Sequence, residues 1–184
     1  MPAILRTLQK LIKLFEENQI DYMIIGGYAL PFYGRIRTTV DLDLAVAVKT
    51  QRKLDFLLGL LRAADFEPTI CSPHNPLIPV VDLKEKIELE LWTKPDGIVF
   101  DDATLKRRKK VDLRQGISSW LVSPEDFIVT KLARPDRGVI DEQDVKSVLV
   151  RQAGKLDEKY LEKRARDAGV LRILEAIRST YSEH

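Results

Sequence analysis

The stretch Val40-Asp41-Leu42-Asp43-Leu44-Ala45-Val46-Ala47-Val48 constrains this chain more than any other. Its Asp-Leu-Asp-Leu alternation gives way to a continuous apolar run, the pattern of a half-exposed strand that enters a core. Upstream, Tyr22 to Ile25 is a short apolar run closed by Gly26-Gly27, and Tyr28 to Tyr33 reads as a two-turn helix stopped at Gly34. Strand, glycine turn, helix and strand thus follow in order.

Helical spacing marks the segments around them. Ile4, Leu5, Leu8, Leu11, Ile12 and Phe15 form one apolar face of a first helix. Leu54, Leu57, Leu58 and Leu61 form another over Thr50 to Ala64, with Thr50 as N-cap. Ile70 to Pro79 carries three prolines and reads as a loop; Ile78 to Leu83 and Ile87 to Trp92 read as neighbouring strands. The signal fades over Thr93 to Leu113, and a short strand is placed near Ile117 to Val122. Ser123-Pro124-Glu125-Asp126 is a strong helix start, because serine caps, proline suits the first helical position and acids favour the positive helix end. Helices are expected over 124–134, 140–152, 157–168 and 170–180.

With 184 residues, 45% hydrophobic and 32% charged, the chain has the apolar mass for a folded domain and is too short for two large ones. A net charge of +2 supplies no global field toward nucleic acid or an anionic membrane. The single Cys71, with His74 and His184, makes too thin a set for a zinc site, so any metal should be oxygen-bound. The N-terminal stretch is interrupted by Arg6, Lys10 and Lys13 and reads as a helix rather than a signal peptide. No segment reaches the ~18 apolar residues of a membrane span, so a cytoplasmic location without membrane contact is expected.

Chemistry is concentrated in three places. A strand followed by Gly26-Gly27 and a helix leaves free backbone N–H groups at a positive helix end with no side chain in the way, which suits phosphate. Asp41 and Asp43, two apart on a strand, present both carboxylates on one face while Leu42 and Leu44 enter the core. Carboxylates so close repel unless a cation lies between them, and Mg²⁺ (or Mn²⁺) held with substrate phosphates answers that need. Glu88 and Glu90 again share one strand face and parity does not separate them; Glu88, which follows the first core residue of the strand, is favoured to hold metal or take a proton from an attacking hydroxyl.

Taken together, Ile25-Gly26-Gly27-Tyr28-Ala29, then Gly34, then Arg37-Thr38-Thr39-Val40-Asp41-Leu42-Asp43-Leu44 resembles the signature of the DNA polymerase β-like nucleotidyltransferase superfamily. Ser123-Pro124-Glu125-Asp126, Lys131-Leu132, Arg134, Arg137 and Asp141-x-x-Asp144 resemble the helical motif of its branch that includes AbiE-type toxins. The resemblance implies an α/β (α+β) fold: a short mixed sheet with flanking helices as a core over 1–122, and a helical region over 123–184 packed on it. It implies nucleotidyl transfer from a nucleoside triphosphate to a hydroxyl acceptor, which is a tRNA, a protein or a small molecule. Asp41, Asp43 and Glu88 or Glu90 would be catalytic, with Asp41, Asp43 and Glu88 binding Mg²⁺; Gly26, Gly27, Arg37, Thr38, Lys131 and Asp144, or Asp141, would form the nucleotide site. Arg37 either meets phosphate or pairs with Asp41. Gly27 departs from the serine many members carry, which removes a side-chain phosphate contact and leaves the backbone ones. A toxin role would add a protein antitoxin as partner.

Two other readings stand beside this one. An inactive nucleotide sensor or partner-binding protein would keep the fold, and an RNA adaptor would use Lys106-Arg107-Arg108-Lys109-Lys110, which reads as a solvated basic turn. Trp92 and Trp120 read as partly buried sheet residues, and the oligomeric state is open.

Overall fold

A computed structural model describes residues 1–39, 41–69, 75–114 and 116–180. In chain order the elements are α1 (Ala3–Glu17), β1 (Tyr22–Ile24), α2 (Gly26–Tyr33), β2 (Asp43–Val46), α3 (Gln51–Ala63), β3 (Phe66–Pro68), β4 (Leu77–Asp82) and β5 (Ile87–Trp92). They continue with α4 (Asp102–Arg107), β6 (Lys109–Arg114), β7 (Ile117–Leu121), α5 (Pro124–Ala133), α6 (Val139–Arg151), α7 (Glu158–Asp167) and α8 (Leu171–Ser179). The result is a mixed α/β fold with a central mixed sheet, as the sequence led us to expect.

These elements form two compact units. The first comprises Met1–Ile25, Val40–Lys94 and Lys109–Leu121 and holds the whole sheet, in strand order β3-β4-β5-β2-β1-β7-β6. β2 runs antiparallel to β1 and parallel to β5, while β7 runs parallel to β1. Helix α1 buries Leu8, Leu11, Ile12 and Phe15, and the Phe15 ring lies 5.3 Å from that of Tyr22. In α3, Leu57, Leu58 and Leu61 are buried, and the Thr50 hydroxyl caps the helix by accepting from the Lys53 N–H.

The second unit comprises Gly26–Thr39, Pro95–Arg108 and Val122–His184. Its centre is α5, buried on nearly every side and packed against α2, α6 and α7. The Ser123 hydroxyl accepts from the Asp126 N–H at 3.1 Å, the cap expected there. Asp126 in turn accepts from the Tyr160 hydroxyl at 3.0 Å, tying α5 to α7. Burial raises the Asp126 carboxyl above its ordinary range despite that bond.

The structure corrects several sequence expectations. The strand expected over Val40 to Val48 is only Asp43–Val46, because its ladder with the three-residue β1 runs from Leu44 to Val46; Asp41 lies ahead of it, exposed. Helix α2 starts at Gly26 rather than after the glycine pair. The basic cluster is not a turn: Lys106 and Arg107 end α4, Arg108 is its C-cap, and Lys109 and Lys110 begin the edge strand β6. Strand β3 had no counterpart in the sequence reading. Val40 and the Ile70 to His74 part of the proline loop lie outside the described residues. Among the described residues no helix is long and apolar enough to cross a membrane.

Candidate active site

The acidic part lies in the sheet unit. In the parallel ladder of β2 and β5, Asp43 stands opposite Glu90, Leu44 opposite Leu91 and Ala45 opposite Trp92. The Glu90 N–H donates to the Leu42 carbonyl at 2.9 Å, which locks this register. Leu42 and Leu44 are fully buried, so alternation puts Asp43 and Glu90 on the other face together. Burial first, then the neighbouring Glu90 and finally Asp41, push the Asp43 carboxyl up to about 7. The Trp92 indole N–H donates to Glu90 Oε2 at 3.2 Å and also favours the charged form of Asp43.

Glu88 lies two residues before Glu90 on the same strand face, but it is exposed and stands in register with Val81 of β4. Among the described residues no group of three or more His, Cys, Asp or Glu side chains is already arranged around a metal position. The donor chemistry nevertheless suits a hard dication. Asp41, Asp43 and Glu90 offer oxygen only, and the burial and carboxylate repulsion that raise Asp43 are costs such an ion would offset.

The glycine pair and its cations lie in the helical unit. Gly26 adopts φ +64°, a left-handed conformation natural to glycine, and opens α2. Gly27 is glycine for a different reason. A Cβ there would lie 2.3 Å from Thr39 Oγ1, 2.7 Å from Thr39 Cβ and 3.2 Å from Thr39 Cγ2. Thr38 is exposed, and its carbonyl accepts from Arg37 Nη1 at 3.2 Å.

Asp144, with its side chain fully buried, gathers the cations of this unit. Arg35 Nε donates to its Oδ1 at 2.8 Å and Arg37 Nε to its Oδ2 at 3.2 Å; Lys131 Nζ lies 3.5 Å from Oδ2. Lys131 also donates to Asp141 Oδ1 at 2.8 Å. Burial works against the charge of Asp141, yet the Lys131 ammonium outweighs it and holds that carboxyl below its ordinary value. The structure therefore gathers Arg37, Lys131, Asp141 and Asp144, and it turns Arg37 onto Asp144. Arg35, Thr39 and Trp92 were missed. For Trp92 the signal was available: it sits two residues beyond Glu90 and so shares its face.

Over residues 4–169 the sequence matches the family described as "Nucleotidyl transferase of unknown function (DUF2204)". The chain belongs to this family. As a member it is a nucleotidyl transfer enzyme. No curated protein matches the sequence. Among solved structures, this nucleotidyl transferase is similar to the antibiotic-resistance factor ANT(2'')-Ia in solution, with TM-score 0.57, 14% identity and 100% of each chain covered. It is also similar to ANT(2'')-Ia in complex with adenylyl-2''-tobramycin, with TM-score 0.53, 16% identity, 96% of this chain and 97% of that one. A third is the lincomycin-bound lincosamide antibiotic adenylyltransferase LnuA, with TM-score 0.52, 13% identity, 78% of this chain and 94% of that one. At these identities the likeness establishes the fold.

Proposed function

We propose that this nucleotidyl transferase moves a nucleoside monophosphate from a nucleoside triphosphate to a hydroxyl acceptor in a Mg²⁺-dependent reaction. The observation that carries the reading is the register of Asp43 with Glu90, which joins two carboxylates on one sheet face and leaves Asp43 with an uncompensated excess of negative charge. Asp41, Asp43 and Glu90 would hold the cation; Glu90 is preferred to Glu88 because only Glu90 stands opposite Asp43. When bound, the cation neutralises the triphosphate and the departing pyrophosphate.

The chain's own groups do the rest. Backbone N–H groups at Gly26 and Gly27 receive phosphate oxygens, and Arg37 and Lys131 add positive charge while Asp144 fixes their position. The acceptor oxygen forms a bond to the α-phosphorus as the bond from that phosphorus to pyrophosphate breaks. The hydroxyl proton passes to the Glu90 carboxylate, whose orientation the Trp92 indole N–H secures. Rate enhancement on this scheme comes from positioning and charge neutralisation.

Of the acceptors a nucleotidyl transferase can use, a small hydroxylated molecule is the one we favour. The support is that solved structures sharing the fold carry lincomycin and an adenylylated tobramycin. Membership of the AbiE-type branch, with toxin action and a protein antitoxin, would instead appear as growth arrest on expression, lost in Asp43→Asn.

The deciding experiment is thermal unfolding with ATP, GTP, CTP and UTP, with and without Mg²⁺, followed by transfer of labelled nucleotide to hydroxylated small molecules, tRNA and protein. A ligand at about 100 times its dissociation constant adds ~2.7 kcal/mol of stability. The reading requires a Mg²⁺-dependent shift and transfer, both lost in Asp43→Asn. Nucleotide binding without transfer to any acceptor would leave the sensor or partner-binding reading in its place.

A further inference from the structure

We propose that Thr39 supplies the side-chain hydroxyl of the glycine turn and donates it to the phosphates of the nucleoside triphosphate. The inference rests on the reading of the first turn of α2 as the phosphate site.

Residue 27 has no side chain, yet the space a side chain would occupy there is filled. Thr39 Oγ1 lies 2.3 Å from the ideal Cβ position of Gly27, and Thr39 Cβ lies 2.7 Å from it. Rotation about χ1 does not move Cβ, so the two residues cannot both carry side chains without a backbone shift. The hydroxyl in that space is the one Thr39 carries. That hydroxyl is half-buried and, among the described residues, has no hydrogen-bond partner. Packing alone would be served as well by valine, which has the same shape, and because the Thr39 hydroxyl is not among the fully buried unpaired polar atoms it is open to a ligand. The neighbouring residues have other attachments. Arg37 is held by Asp144, and the Thr38 carbonyl accepts from Arg37. Thr39 is thus the residue of this segment whose polar atom is both available and beside the open helix end. A hydroxyl donates to a phosphate oxygen, and a hydrogen bond to a charged acceptor is stronger than one between neutral groups.

The test compares Thr39→Val, which keeps the shape, with Thr39→Ser, which keeps the hydroxyl. The readouts are the dissociation constant of the tightest-binding of the four Mg-nucleoside triphosphates and the unfolding midpoint without nucleotide. Val should weaken binding about tenfold or more and Ser by no more than about threefold, with both midpoints near that of the wild type. Wild-type affinity in the Val variant, or equal losses in both, overturns the assignment. Absence of nucleotide binding by the wild type overturns the underlying reading instead. Should the Val variant fail to fold, the hydroxyl can be moved: Gly27→Ser/Thr39→Gly should bind more tightly than Thr39→Gly alone, and equal binding by the two again overturns the proposal.

Discussion

Glu90 stands directly opposite Asp43 in the parallel ladder of β2 and β5, and the pair carries more negative charge than its half-buried surroundings accommodate. The strand register creates this relationship, since neither residue is near the other in sequence. It links fold to chemistry because an ordinary sheet pairing holds a proton on Asp43 up to about 7 and, on the proposed function, is the place a cation would take.

The sign of the resulting pH dependence follows from burial and repulsion. The folded protein holds the Asp43 proton up to about 7, against an ordinary value of 3.8. It therefore binds that proton more tightly than the unfolded chain does. The contribution to stability is fully present below the ordinary value and is lost as pH rises through about 7. Metal-free Asp43→Asn should lack this slope and melt above the wild type at pH ~8, while nucleotidyl transfer disappears. Thermal melts from pH ~4 to ~8 test this, and an unchanged slope in the variant would refute the electrostatic account.

The two glutamates of β5 should separate cleanly. Glu90→Gln is expected to reduce transfer by about 100-fold or more, the range for loss of a proton-accepting group. Glu88→Gln, altering an exposed side chain in register with Val81, should stay within a few-fold of the wild type. Steady-state transfer rates decide it, and the opposite order would move the catalytic assignment to Glu88.

Two glycines should respond oppositely to alanine. At Gly27 the added Cβ meets Thr39 Cβ at 2.7 Å, so Gly27→Ala should cost about 1–3 kcal/mol. At Gly59, inside α3, an added Cβ meets nothing within 4 Å, and Gly59→Ala should gain roughly 0.5–1 kcal/mol from helix propensity. Denaturant melts of both variants give the comparison. Thr39→Gly should suppress the Gly27→Ala defect.

Asp144 is the anion around which Arg35, Arg37 and Lys131 are arranged. Asp144→Asn leaves these cations without their shared buried partner and should destabilise the protein by about 3 kcal/mol or more. On the proposed function it should also raise the KM for nucleotide, because Arg37 and Lys131 lose their fixed positions. Urea melts and saturation kinetics on the same preparation measure both effects.

The legible parts of this protein were those with a local cause. Phe15 and the leucines before it announced α1, Thr50 and Ser123 announced their helices by capping, and Glu88 to Trp92 announced β5 by alternation. The elements that escaped lacked such a signal. β3 spans only Phe66–Pro68, shorter than one readable period, and α4 spans only Asp102–Arg107. β6 is an edge strand with exposed Lys109 and Lys110, so no apolar alternation marks it.

By itself the sequence determined the longer helices and strands and their order, and it led to the expectation of an oxygen-bound metal with Gly26, Gly27, Asp41 and Asp43 at the chemical centre. Local spacing suffices for these, because periodicity, capping and charge repulsion act over a few residues. Only the tertiary structure decided that Glu90 rather than Glu88 faces Asp43, that Arg37 turns to Asp144, and that Thr39 fills the space beside Gly27. Strand parity places Glu88 and Glu90 alike, and no local rule brings together residues 107 positions apart, as Arg37 and Asp144 are. Such choices depend on which strand pairs with which and on how side chains from distant segments pack, and these are settled when the chain closes on itself.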